Sequence, residues 1–195
     1  VANPSLETVA AGDFGGIARR KNTQRLWVPP NDIAQAAVTG TWVLENAAIA
    51  STMALTTADA GSTNVFQIAF RGPFSDLAVQ SGSGIVDRGA RVIGIVVPYT
   101  VTNSNLAAVT LKIYQGSFTT AGLISTAEIT STTSFATEAT GLTQTTHLAK
   151  AIISASNRVF VQSGAPCYAQ LTMDDGTASD VWIYGACWHY EVVED

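Results

Sequence analysis

The chain predicts an all-β protein, an antiparallel two-sheet sandwich behind an extended N-terminal arm, and three observations carry that expectation. After Gly40, short runs rich in Val, Ile, Thr and Tyr alternate with clusters of Gly, Asn, Asp and Ser, the texture of strands joined by turns. Within those runs the apolar residues recur at every second position, as in Ile93, Ile95, Val97, Tyr99 and Val101, which places them on one face of a pleated strand. Before Gly40 no periodicity survives: Asn3-Pro4, Gly12-Asp13, Gly15-Gly16 and Pro29-Pro30 punctuate the stretch, as expected of extended chain. The boundaries that follow are an arm over 1–40 and a sandwich domain over 41–195, one body with a single core.

In order along the chain, the arm holds one short helical candidate, Asn31 to Val38, with Asn31 as its cap after the proline pair. Strands are expected at Thr41 to Glu45, Asn64 to Phe70, Ala90 to Val101, Ala107 to Gln115, Ser125 to Thr130, Thr146 to Ile153, Arg158 to Gln162, Pro166 to Met173 and Asp180 to Val193. Two hairpins suggest themselves. "TNSN" would join the Ala90 strand to the Ala107 strand, and "DDGTAS" the Pro166 strand to the Asp180 strand. Pro98 donates no ladder hydrogen bond, so it is expected at an edge or a bulge, with its strand on the rim of a sheet.

The Ala90 strand ("IGIVVPYTV") and the last strand ("YGACWHYEV") share Gly, Tyr and Val at matching offsets. Tyr184, Ala186, Trp188, Tyr190 and Val192 would present a core face equivalent to that of the earlier strand. A turn centred near Gly176 and Thr177 sets Cys167 opposite Cys187, which predicts a cross-strand thiol pair. Directly opposed Cβ atoms, about 4.5–5.5 Å apart, stand wider than the about 3.5–4.5 Å of a disulfide, so proximity is the expectation rather than a bond.

Hydrophobic residues make up 47% of the chain and charged residues only 13%, so much of the surface is small and neutral, as in a subunit that meets neighbours. The net charge of −5 gives no overall attraction for nucleic acid or anionic lipid. The local exception is "RRKNTQR", where Arg19, Arg20, Lys21 and Arg25 cluster; these are expected to meet protein carboxylates, because so small a basic group makes a weak phosphate footprint. No apolar run is long enough for a membrane helix, and the chain is expected to be soluble.

Chemistry-bearing groups are sparse. His147 opens an apolar run and His189 alternates with Cys187 and Glu191 on one face. Structural imidazoles are the ordinary reading, and the Cys187, His189 and Glu191 trio lacks the further ligands of a metal site. Asp174, Asp175 and Asp180 surround a Gly-containing turn, which explains them without a calcium ion. "DFG" at Asp13 to Gly15 stands in the arm, ahead of any nucleotide strand, and "SGSG" at Ser81 to Gly84 lacks the rest of a phosphate loop. No catalytic residue, metal or cofactor is therefore expected, and the chain is not read as an enzyme. Among the aromatic residues of the last strand, Trp182 is nearest the turn and is the candidate ligand surface.

Taken together, "RGARVIGIVVPYTVTNSNLAAVTLKIYQGS", the Ser/Thr-rich middle and "CYAQLTMDDGTASDVWIYGACWHYEVV" resemble small β-sandwich virion proteins of tailed bacteriophages. The resemblance runs from Arg88 to Val193 and rests on Gly94 and Tyr99, the "LKIY" run and the Gly185 to Tyr190 strand. It implies a jelly-roll-like subunit in the phage particle, made in the host cytoplasm, of the capsid decoration (cement), head-associated or fibre type. It further implies a homo-oligomer, a trimer by analogy, that contacts the major capsid protein or other virion proteins. The alternative is a receptor- or carbohydrate-binding module of a phage tail or fibre. An internal coat protein with a basic arm fits less well, since net −5 opposes genome packaging. The arm cannot bury Leu6, Val9, Phe14, Ile17, Leu26, Trp27 and Val28 within itself, so Leu6, Phe14, Ile17, Leu26 and Trp27, with Arg19, Arg20, Lys21 and Arg25, are the expected assembly contacts.

Overall fold

The computed structural model describes residues 20–38, 42–47, 52–57, 63–72, 89–102, 105–118, 124–135, 142–158, 160–161, 166–174 and 180–194. They form two antiparallel sheets packed face to face. The larger has eight strands: β1 (Arg20–Val28), β3 (Val43–Ala47), β4 (Thr52–Thr57), β6 (Gly89–Thr102), β9 (Thr132–Phe135), β10 (Thr146–Ile152), β12 (Asp180–Ile183) and β13 (Ala186–Glu194). The smaller has five, in the order β2 (Ala34–Ala37), β5 (Asn64–Ala69), β11 (Cys167–Asp174), β7 (Ala108–Phe118) and β8 (Ile124–Glu128). Among the described residues no helix is long and apolar enough to cross a membrane.

The long strand β6 organises the larger sheet. One of its edges takes β10 and the other takes β13 over Gly89–Val96 and β12 over Tyr99–Thr102. The two strands that look alike in sequence are thus direct antiparallel neighbours. Their register slips once, between His189 and Tyr190, so that Gly94 opposes His189 while Val92 opposes Tyr190 and Ile93 is left over. This bulge reverses the face that β6 buries: Ala90 and Val92 point inward before it, Ile95, Val97, Tyr99 and Val101 after it, and Ile93 is only half-buried. Strict alternation from Ile93, as the sequence suggests, ignores the extra residue. Pro98 sits in a central strand rather than on a rim.

Both expected hairpins are corrected. β6 belongs to the larger sheet and β7 to the smaller, and β11 and β12 are likewise divided between them, so the "TNSN" and "DDGTAS" stretches carry the chain from sheet to sheet. A two-sided pattern cannot tell a hairpin from such an arch, because both bury one face of each strand. Cys167 consequently opposes Gln115 on β7, while Cys187 opposes Val96 and Trp27 in the other sheet. The predicted thiol pair does not exist, and both cysteines are free.

The stretch expected as an arm is, from Arg20 to Val38, part of the sandwich. β1 runs the length of β13, and β2 pairs with the edge of β5. Between them Pro30–Asp32 makes a single 3-10 turn, with Pro30 and Ile33 buried, so Asn31 to Val38 is a turn and an edge strand rather than a helix. Of the strand expected over Arg158 to Gln162, the described residues show an isolated bridge between Phe160 and Arg91, and residues 159 and 162 lie outside the described residues.

The core fills the space between the sheets with Ile95, Val97, Tyr99, Ile183 and Trp188 from one side and Phe66, Ile68, Leu111, Ile113, Leu171 and Met173 from the other. Full burial of each such large side chain contributes on the order of 2–3 kcal/mol. Trp188 also ties the layers together: its Nε1–H donates to the Ala69 carbonyl of β5 at 3.2 Å, and Phe70 meets its ring edge-on at 5.6 Å. Trp42 packs edge-on against Phe66 at 4.7 Å and donates to Asn64 Oδ1 at 3.2 Å, so its indole N–H is satisfied inside the core. His147 is fully buried beside Tyr99, ring centroids 5.0 Å apart. Its Nε2 lies 2.8 Å from the Thr143 carbonyl, which can only accept, so Nε2 carries the proton. Its other ring nitrogen, Nδ1, is buried with no hydrogen-bond partner among the described residues, so the imidazole expected to be satisfied is only half so.

Candidate functional site

Two outward sheet faces carry the side chains available to a partner. On the larger sheet, adjacent strands align Lys150, Val96, Cys187 and Trp27 in one row and Ile152, Gly94, His189 and Arg25 in the next. Leu148 opposes Pro98, and Thr146, Thr100, Trp182, Thr56 and Val43 complete a third level across the sheet. The apolar members are not covered: Trp27 is 53% exposed, Ile152 42%, and Leu148 and Val43 38% each. Trp27 points outward because Leu26 and Val28 on either side turn into the core.

The expected assembly contacts divide accordingly. Leu26 packs against the core of its own chain and Val28 is buried, so neither is offered to a neighbour, whereas Trp27 and Arg25 lie on the outer surface. Arg20 and Lys21 pair through their backbones with Glu194 and Val193. Leu6, Phe14, Ile17 and Arg19 lie outside the described residues.

The aromatic residues near the C-terminus do not form one stripe. Gly185 adopts φ +120 between β12 and β13, and the break changes which parity faces inward. Trp182 is half-buried on the outer face, Tyr184 donates its hydroxyl to Thr100 Oγ1 at 3.1 Å, Trp188 is in the core, and Tyr190 packs edge-on to Phe70 at 5.3 Å. Cys187, His189 and Glu191 do share the outer face. Partial burial, and then the nearby Arg25 charge, hold the His189 pKa below its ordinary value. Among the described residues no three His, Cys, Asp or Glu side chains are grouped as metal ligands. Asp174 and Asp180 fall in different sheets.

The outer face of the smaller sheet was not singled out by the sequence. There Ala69, Tyr168, Tyr114 and Glu128 form one row across four strands, and Ala34, Gln67, Gln170 and Lys112 form the next. Tyr168 and Tyr114 are stacked, with centroids 5.3 Å apart and planes within 17°. Lys112 Nζ stands 3.0 Å from Glu128 Oε2, and that hydrogen bond raises the lysine pKa. At the other end of the row a cleft of about 320 Å³ opens between Tyr168, Ala69, Gln67 and the Arg71–Asp32 ion pair, whose Nη1···Oδ2 distance is 3.3 Å. The period-two pattern of "CYAQLTMD" does turn Tyr168 and Gln170 outward; what it lacks is the pairing that sets Tyr168 beside Tyr114 and Ala69. These are groups for recognition: ring faces, amides and a neutral ion pair.

Compared with known proteins, the chain matches no protein-family model and no curated protein.

Proposed function

We propose that this chain is a non-catalytic structural subunit that assembles through the outward face of its larger sheet. The observation that carries the reading is that one outward face leaves large apolar side chains exposed at several places, Trp27 on the edge strand β1, Leu148 and Ile152 on β10 and Val43 on β3. Large apolar side chains left exposed on one sheet face favour a partner-binding surface, for which an exposed Trp is a common anchor. The low charge content supports the same reading. Of the assemblies open to such a subunit, the resemblance over Arg88 to Val193 favours a tailed-phage particle, as a capsid decoration or head-associated protein, with a second copy of the chain and the capsid lattice as partners.

The test is the mass of the purified chain by light scattering, together with co-sedimentation on phage capsids. The expected result is an oligomer that binds capsids, converted to a folded monomer by Trp27→Glu with Leu148→Glu. A wild-type monomer that ignores capsids overturns the reading. Truncation should remove residues 1–19 only, because a cut at Thr39 would also take away β1 and β2. Loss of capsid binding on that shorter truncation would assign the lattice contact to the segment containing Leu6, Phe14, Ile17 and Arg19.

A further inference from the structure

The cleft on the smaller sheet is made by a difference in side-chain size. Tyr168 on β11 has Tyr114 on one side, a ring stacked upon it, and Ala69 on the other, a single methyl group. Ala34 on β2 is equally small. The space that a larger residue at position 69 would fill is therefore open beside the Tyr168 ring, and Phe70, Pro166 and Cys167 line its remaining walls together with the polar groups of Asp32, Arg71 and Gln67. At about 320 Å³ the cleft falls at the small end of the range of roughly 300–1,000 Å³ occupied by small-ligand sites.

The chemistry of those walls narrows the ligand. Tyr168 offers a flat aromatic wall, braced by Tyr114. Asp32 supplies an acceptor, Arg71 a fork of donors, and Gln67 one of each. Because Asp32 and Arg71 are already paired at 3.3 Å, the site holds no excess charge that would draw a phosphate, a carboxylate or an ammonium group. A ligand that suits it has an apolar ring face, vicinal hydroxyls on its edge able both to donate and to accept, and no net charge. We infer that this cleft binds a neutral oligosaccharide, with one pyranose ring stacked on Tyr168 and its hydroxyls on Asp32, Arg71 and Gln67. Gln170 and Lys112, next to Gln67 in the same row, extend the polar track for a second sugar. This gives the carbohydrate-binding alternative a site and a ligand class, on the opposite sheet from the assembly face and distant from Trp182 in the fold.

The experiment uses the full chain against a panel of neutral oligosaccharides built from glucose, galactose, mannose, xylose and N-acetylhexosamines, with 3′-sialyllactose and AMP as charged comparators. Array hits are titrated in solution by calorimetry. Binding of at least one neutral glycan is expected, with a Kd on the order of 0.1–1 mM for so open a site. Tyr168→Ala should weaken it by about tenfold or more. Ala69→Leu, a change at an exposed position that keeps both tyrosines, should abolish it by filling the cleft, with a melting curve like that of the wild type. The Trp27→Glu, Leu148→Glu variant should bind as the wild type does, so that failure of the assembly reading and failure of the glycan site are told apart. No neutral glycan bound at millimolar concentration, binding of the sialylated glycan or AMP alone, or glycan binding unchanged by Ala69→Leu overturns the inference.

Discussion

The backbone amide of Tyr184 donates to the carbonyl of Pro98 across 3.1 Å, at the place where the C-terminal strand breaks into β12 and β13. In a strand the N–H and C=O of one residue point to the same side, so the donor that Pro98 lacks would also have faced this break. β13 pairs with β6 up to Val96 and β12 takes over at Tyr99, so the missing donor of Pro98 falls in the gap between the two ladders. A proline is thereby accommodated in the middle of the larger sheet, and the same interruption lets β1 and β4 each pair with one half of the broken strand.

That break depends on Gly185. Its φ of +120 is one that side-chain-bearing residues rarely adopt, and a Cβ there would come within 2.7 Å of both the Trp27 ring and the Val28 carbonyl. Gly185→Ala should cost about 2 kcal/mol or more, read as a lower urea midpoint with an unchanged slope. Adding Trp27→Ala should recover only part of the loss, since the backbone conformation and the carbonyl contact remain. Full recovery would place the whole cost in the ring contact.

Gly94 is constrained from the other edge. A Cβ at this position would press on the Ala151 carbonyl of β10, a backbone group fixed by its own strand pairing. Gly94→Ala should therefore destabilise the protein by about 3 kcal/mol and speed amide exchange in Ala149–Ile152. A variant with wild-type stability and exchange would show that β10 can move aside.

The two thiols should differ in reactivity. Burial pushes the Cys167 pKa up to about 12, which leaves almost no thiolate at neutral pH, whereas Cys187 is only half-buried. Iodoacetamide at pH 8 should label Cys187 first and reach Cys167 only on unfolding, with no internal disulfide formed under mild oxidation. Peptide mapping that finds the two modified at equal rates, or joined to each other, would contradict the sheet assignment of β11 and β13.

His189 should make stability depend on pH. Its folded-state pKa is lowered from 6.5, by desolvation first and by the Arg25 charge second, so the unfolded chain takes up the proton more readily. The contribution is fully present above pH 6.5 and diminishes as the pH falls from 6.5 through the lower folded value. His189→Gln should flatten that part of the stability profile, and Arg25→Gln should flatten it partially, by an amount that shrinks in high salt. A profile unchanged by His189→Gln would assign the dependence to other groups.

Much of the fold was legible before any coordinates. Period-two alternation puts Ile95, Val97, Tyr99 and Val101 on one core face, and the structure buries all four, whereas of the core face expected on the last strand only Ala186 and Trp188 are buried and Tyr184, Tyr190 and Val192 are half-buried. Alternation is local, a consequence of the pleat alone, so sequence suffices for it. Which strand lies beside which is not local. β6 and β7 would show the same pattern as hairpin partners or as members of facing sheets, and the extra residue at Ile93 or the break at Gly185 leaves no mark on composition. Arg20–Val28 reads as arm because Lys, Asn, Thr, Gln and Arg hide its alternation; it becomes a strand because the open edge of β13 supplies the partner for its backbone groups. The same holds for the two outward faces. The sequence by itself determined that Trp27, Tyr168 and Tyr114 carry large rings at strand positions, and the tertiary structure alone decided that one ring stands uncovered on the larger sheet while the other two stack beside a cleft, because cross-strand register, set by hydrogen bonds between segments far apart in the chain, chooses the neighbours of every outward side chain.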